Sequence, residues 1–252
     1  DSHVSEPPDL WTSRLPAKWR EFAPYVKSNA ETGIDEWFVG DDRLVSPGFL
    51  AMAGHDEYTP KFPKSYADFD PASYDPKARL ERLDEFGVYA QVLFPNVLAF
   101  YAWAFRDHVD QGFAVAAHSA YNDFLAEFAS EDPNRLLPLC VVPFWNMEES
   151  IAELKRAHAL GHRGLVFGWQ YEKIGLPPII DPHWEPLLKT AEELEMHINL
   201  HVAVSTRSQE EVKNTNKKNT EWDAADYARE TALIMMGNAN AIALLCTNGI
   251  LE

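Results

Sequence analysis

From residue 75 onward, short apolar runs alternate with stretches of helical periodicity, and that alternation constrains the fold more than any single motif does. The runs "VYAQVLFP" (88–95), "LLPLCVVP" (136–143), "RGLVF" (163–167) and "HINLHVA" (197–203) have the length and composition of buried strands. Asp75 as N-cap, Pro76 at the first helical position and Gly87 as the stop define a helix between the insertion described below and the first run. Its expected apolar face is Leu80, Leu83 and Phe86. A long amphipathic helix covers about 108–129. Asn146 and Glu149 form a capping box for "MEESIAELKRAHALG", which stops at Gly161. Asp181 and Pro182 start a further helix through about 194, and a last helical segment begins near Asp223. Parallel strands need crossovers of this length, so the class is α/β with a parallel sheet.

Residues 4–75 break the pattern. They are rich in Pro, Gly, Trp and Phe with weak periodicity, and are expected to form a long insertion over one end of the sheet, within a single domain spanning 1–252. No repeat, low-complexity tract, G-x-G-x-x-G or Walker A motif is present. Gly161, Gly164 and Gly168 bracket a strand and read as turn residues.

A net charge of -17 argues against a nucleic-acid or anionic-membrane partner, because those need clustered Lys and Arg. Fourteen Phe, nine Tyr and eight Trp suffice for a core and an aromatic-lined pocket. Two cysteines make no disulfide framework, and Cys140 lies inside an apolar run, so a reducing cytoplasm is expected. No run approaches the roughly 20 apolar residues of a bilayer span, and the first residues are acidic, so neither a span nor a signal peptide is expected.

Strand periodicity also gathers the metal-ligating residue types. Residues two apart share a face, which sets His197, Asn199 and His201 on one side and Ile198, Leu200 and Val202 on the other. With the apolar set packed against helices, the polar set points into a barrel, and His201 lies nearest the C-terminal strand end, where the active sites of such barrels gather. Asp1 and His3 are also two apart, just ahead of a long loop. One acid and two imidazoles from two strand ends can converge on a divalent ion with a position left for water. The alternative for His201 is a hydrogen-bonded core histidine.

The stretches "DSHVSEPPDLW", "RLERLDEFGVYAQVLFPN", "AYNDFLAEFASEDPNRLLPLCVVPFWNMEESIAELKRAHALGHRGLVF" and "DPHWEPLLKTAEELEMHINLHVA" resemble, in order, the amidohydrolase-related branch of the amidohydrolase superfamily, which includes metal-dependent aromatic and unsaturated-acid decarboxylases. The resemblance implies a TIM-type (β/α)8 barrel with one divalent metal, Zn or Mn, at its C-terminal mouth. It matches Asp1 and His3 to the ligand pair after the first strand and His201 to the histidine ending the fifth. The family's proton-handling aspartate, on the eighth strand, and the histidine that many decarboxylases carry on the sixth have no counterpart here. The chain therefore reads as a partial barrel, strands one to five of eight, with that aspartate expected beyond Glu252.

Around this centre Glu6, Phe94, Asn96, Trp169, His183 and Arg207 are candidate substrate-binding residues, because each stands at or after a C-terminal strand end. Glu6 could reach the metal or its water, and Arg207 could hold a carboxylate through a bidentate pair. Glu6 also reads as a structural loop carboxylate, His183 as a solvated first-turn residue and Arg207 as a solvated loop arginine. His158 and His162 suit a helix C-terminus, His118 is expected at the surface, and His55 lies in the insertion. The leading function is non-oxidative decarboxylation of a small carboxylate. The alternatives are hydrolysis of an amide, ester or lactone at the same metal, and a non-catalytic ligand-binding role. Family analogy points to a homodimer or tetramer.

Overall fold

In the computed structural model the strands lie side by side in chain order. The structure describes residues 2–57, 61–108, 110–201 and 223–249. The parallel strands are β1 (Ser2–His3), β5 (Gln91–Phe94), β6 (Leu136–Cys140), β7 (Gly164–Phe167) and β8 (His197–Leu200), in sheet order β1-β5-β6-β7-β8. Every neighbouring pair is parallel, with registers such as His3 opposite Phe94 and Phe167 opposite Leu200. This is the α/β class expected, five successive strands wound in one direction; no closed barrel forms among the described residues.

The residues between His3 and α2 (Pro76–Phe86) are more ordered than their weak periodicity suggests. They hold α1 (Leu10–Arg14), several 3-10 turns and an antiparallel sheet of β2 (Tyr25–Ser28), β3 (Asp35–Val39) and β4 (Asp42–Arg43). Trp11 and Trp37 from this insertion are buried and meet edge to face at 5.4 Å. They join Phe105 and Phe113 in one apolar cluster that also takes in Leu93 and Leu136 of the sheet. Burying such a side chain contributes about 1.5–3 kcal/mol. The insertion is therefore welded to the sheet through its aromatic residues, and the Trp11 indole donates to the Ala117 carbonyl at 3.1 Å.

The helices begin and end where their capping residues dictate. The Asp75 carboxylate accepts from Ala78 N at 2.8 Å, and Gly87 closes α2 in the left-handed region at φ 66°. Between β5 and β6 the chain forms α3 (Val97–Phe100), α4 (Trp103–Arg106) and α5 (Gln111–Ala129), the last capped by Asp110. Asn146 accepts from Glu149 N and opens α6 (Met147–Ala159); the reciprocal bond of a full capping box is not formed. A 3-10 turn at Pro182–Trp184 precedes α7 (Glu185–Glu193).

Five expectations need correction. Phe86 is 66% exposed, and the position that α2 buries beside Leu83 is Arg79. His118 is buried, with its Nδ1 2.7 Å from the Ala114 carbonyl and its ring against Trp145 and Phe105. His162 is buried too, its Nε2 2.9 Å from the Asn122 carbonyl, a tertiary contact and no mere dipole effect. Gly164 is a strand residue: a Cβ there would stand 2.5 Å from Asn199 Nδ2 and 2.6 Å from the His197 carbonyl oxygen. Glycine thus permits β7 and β8 to approach under two polar side chains. Lastly, the helices Ala224–Met235 and Gly237–Thr247 form a stretch of 24 residues that is long and apolar enough, by length and composition only, to cross a membrane. Leu233, Met235, Met236 and Ile242 on it are exposed, while Ala241 is buried and Tyr227 meets Phe49 of the insertion at 5.8 Å.

Candidate metal centre

His3 closes β1, and His201 follows β8, its amide donating to the Phe167 carbonyl at 3.3 Å. These strands stand at opposite ends of the five-stranded order. Four inter-strand spacings of about 4.8 Å would separate them by about 19 Å in a flat sheet. Yet the two Nε2 atoms are 3.3 Å apart. The sheet must curl strongly, with both imidazoles reaching inward from facing walls, which is the curvature of a barrel.

Sequence alternation explains why His201 points inward. Ile198 and Leu200 pack against the apolar cluster containing Leu165, Phe167, Trp184 and Leu187, on the helix side of the sheet. His197 and Asn199 lie on the other face, with Asn199 Nδ2 2.8 Å from His197 Nδ1 above Gly164. His201 continues that face and is buried.

The His3 imidazole is held in one tautomer. Its Nδ1 is 3.0 Å from the Pro95 carbonyl oxygen, which can only accept, so Nδ1 carries the proton and Nε2 the lone pair. Burial, and after it the neighbouring His201, lowers the His3 pKa from 6.5 to about 4. The ring is therefore neutral at neutral pH, the form that binds a metal. Two Zn–N bonds of about 2.0–2.1 Å at a tetrahedral angle hold their nitrogens about 3.3 Å apart. The observed pair fits a shared divalent ion. Among the described residues no group of three His, Cys, Asp or Glu side chains completes a ligand set. Asp1 lies outside the described residues, as does Arg207.

Aromatic rings box the pair in. Phe94 lies 5.9 Å from His3 and 5.0 Å from His201. Phe100, which sequence reasoning passed over, stacks on His3 at 5.6 Å with 29° between planes and meets His201 at 5.4 Å. The signal for Phe100 was its place one helical turn beyond Asn96, at the end of the short helix that follows β5.

Glu6 and Asn96 come together, but with one another. The Glu6 carboxylate is buried and accepts from Asn96 N and Val97 N, each at 2.9 Å, and from Asn96 Nδ2 at 3.3 Å. Asn96 Nδ2 also donates to the Val4 carbonyl. Burial pushes the Glu6 carboxyl pKa up, while the Val97 and Asn96 amides pull against it. Both side chains thus fasten the loop after β1 to the start of α3. Trp169 is half-buried against the second apolar cluster. His183 is exposed, edge-on to Trp184 at 4.8 Å. Neither has a contact with the His3–His201 pair among those observed.

No protein-family model matches the chain. A 2-amino-3-carboxymuconate-6-semialdehyde decarboxylase from Dictyostelium discoideum is 27% identical over 195 residues, which are 77% of this chain and 48% of that protein. The chain thus spans about half the length of the curated relative it matches. The structure of the amidohydrolase map2389c from Mycobacterium avium subsp. paratuberculosis K-10 superposes with a TM-score of 0.61 at 18% identity, over 80% of this chain and 57% of that one. The apo structure of Metarhizium anisopliae IDCase gives a TM-score of 0.50 at 16% identity, over 79% and 48%. The fold is that of amidohydrolase barrels, present here as five consecutive strands. The resemblance to the decarboxylase-containing amidohydrolase branch is borne out by the curated sequence relative, and the structural neighbour bears out the fold.

Proposed function

We propose that the protein is a metal-dependent enzyme that decarboxylates a small aromatic or unsaturated carboxylate without a redox cofactor, holding one Zn or Mn ion between His3, His201 and Asp1. The observation that carries this is the pair of Nε2 atoms 3.3 Å apart across the curled sheet, one of them tautomerically fixed as an acceptor by Pro95. The decarboxylase relative at 27% identity supports the choice of reaction. When bound, the ion supplies a Lewis acid that neutralises and orients the substrate carboxylate.

The chain's own residues supply the surroundings. His3 stays neutral and keeps its Nδ1 proton on Pro95, so it holds position and donates no proton to substrate. Phe94 and Phe100 exclude water from one side of the pair and offer flat surfaces to a planar acid. In the reaction the carbon–carboxylate bond breaks, carbon dioxide leaves and a proton takes its place on carbon. Trp169, His183 and Arg207 remain proposed substrate contacts. The reading extends to a single domain carrying the 4–75 insertion, and to a cytoplasmic homodimer or tetramer with no nucleic-acid partner. The charge of -17 and two unpaired cysteines support that setting.

The test is to offer the full-length, metal-loaded protein a panel of small aromatic and unsaturated carboxylates, together with amides, esters and lactones of the same acids, in H218O. Carbon dioxide release without label in the organic product is expected. Label in the product with no carbon dioxide would replace decarboxylation by hydrolysis.

A further inference from the structure

We propose that Arg79 is the positioning residue for His3: its guanidinium clasps the two-residue strand β1 to β5 and thereby sets where His3 Nε2 stands opposite His201. The inference rests on the reading of His3 as a metal ligand.

Strand β1 is a weak anchor by itself. Among the described residues it has two positions and two register pairs with β5, Ser2 with Leu93 and His3 with Phe94, followed by the Val4 amide donating to the Phe94 carbonyl at 3.2 Å. Arg79, one turn before Leu83 on α2, is buried and bridges both strands. Its Nη1 donates to Ser2 Oγ at 3.0 Å and to Gln91 Oε1 of β5 at 3.1 Å, and Ser2 Oγ donates to the same Gln91 oxygen at 2.8 Å. Its Nη2 donates to the His3 carbonyl at 2.9 Å, and its Nε donates to the Ala72 carbonyl at the end of the insertion. One planar group therefore fixes β1, β5, α2 and the returning insertion against each other.

All four acceptors are neutral. A buried guanidinium with no bonded carboxylate among the described residues is a costly choice for stability alone; burial, opposed by the charge of Asp70, lowers its pKa to about 10, leaving it charged at neutral pH. What the cation provides is geometry: donors in a rigid fork that an ammonium cannot reproduce. The fork acts on His3 through its backbone, while Pro95, the residue directly after the strand pair ends, orients the ring. A shift of β1 against β5 would move the His3 Nε2 away from its partner, and loss of supporting bonds around a ligand typically weakens metal affinity about 10–100-fold.

The experiment is a Co2+ titration of the full-length protein and its Arg79→Lys and Ser2→Ala variants, read by visible absorption, with folding followed by circular dichroism. Arg79→Lys keeps the charge and removes the fork. The expected result is a folded Arg79→Lys variant with Co2+ affinity about 10–100-fold weaker and altered visible bands, and Ser2→Ala a few-fold weaker. Equal affinity and unchanged bands in folded Arg79→Lys, even with a lower Tm, overturn the proposal and leave Arg79 a purely structural residue. If Arg79→Lys does not fold, Ser2→Ala decides: a few-fold loss supports the clasp and no change overturns it. Absence of Co2+ binding by the unaltered protein overturns the metal reading itself, and the clasp with it.

Discussion

Glu6 illustrates how a residue near a ligand motif can serve the ligand indirectly. Its carboxylate takes the first amides of α3, the helix that ends in Phe100. Glu6→Ala leaves two buried N–H groups unpaired and is expected to cost about 2–4 kcal/mol by urea denaturation, with Glu6→Gln losing less because it keeps one acceptor. An unchanged midpoint for Glu6→Ala would mean that the carboxylate does not hold the helix. His118 gives a pH prediction. Burial lowers its pKa from 6.5 to about 4. Between those values the unfolded chain takes up a proton that the folded one refuses, so stability present above pH 6.5 is lost as pH falls toward 4, by about 3 kcal/mol in total. The excess stability of the unaltered protein over His118→Gln should shrink across that range; a difference constant with pH would contradict it.

At the scale of elements, caps and strand periodicity were the legible part. Asp75, Asn146, Asp181 and Asp223 each cap the element that follows, as does Asp110, which the sequence reading did not single out, and each is a residue type whose short side chain reaches the first free amides. Asp75→Ala should cost about 1 kcal/mol, read from the urea midpoint. Three features were not legible. The insertion's three-stranded sheet has no clean alternation, because its central strand β3 is buried on both faces at Asp35, Glu36, Trp37 and Val39. Arg79 occupies a buried position that a hydrophobic pattern assigns to an apolar side chain. Gly164 owes its role to a neighbouring strand far away in sequence, which no local turn rule contains. Gly164→Ala should push β8 away, cost about 1–3 kcal/mol, and weaken metal binding at His201; full retention of both would show that β8 can shift freely.

For the whole molecule, the site was legible as types and spacing but not as partners. The sequence could bring His3 and His201 to strand ends, and the curl of the sheet brings them to 3.3 Å. It did not reveal that Glu6 and Asn96 bind each other. The central claim is a shared divalent ion between the first and fifth parallel strands. Elemental analysis of metal per chain in the full-length protein, beside His3→Ala and His201→Ala, tests it most directly. The account predicts near one equivalent of Zn or Mn, lost in both folded variants. Metal retained in both variants, or absent from a well-folded unaltered protein, would contradict it and leave the two histidines a hydrogen-bonded pair in the core.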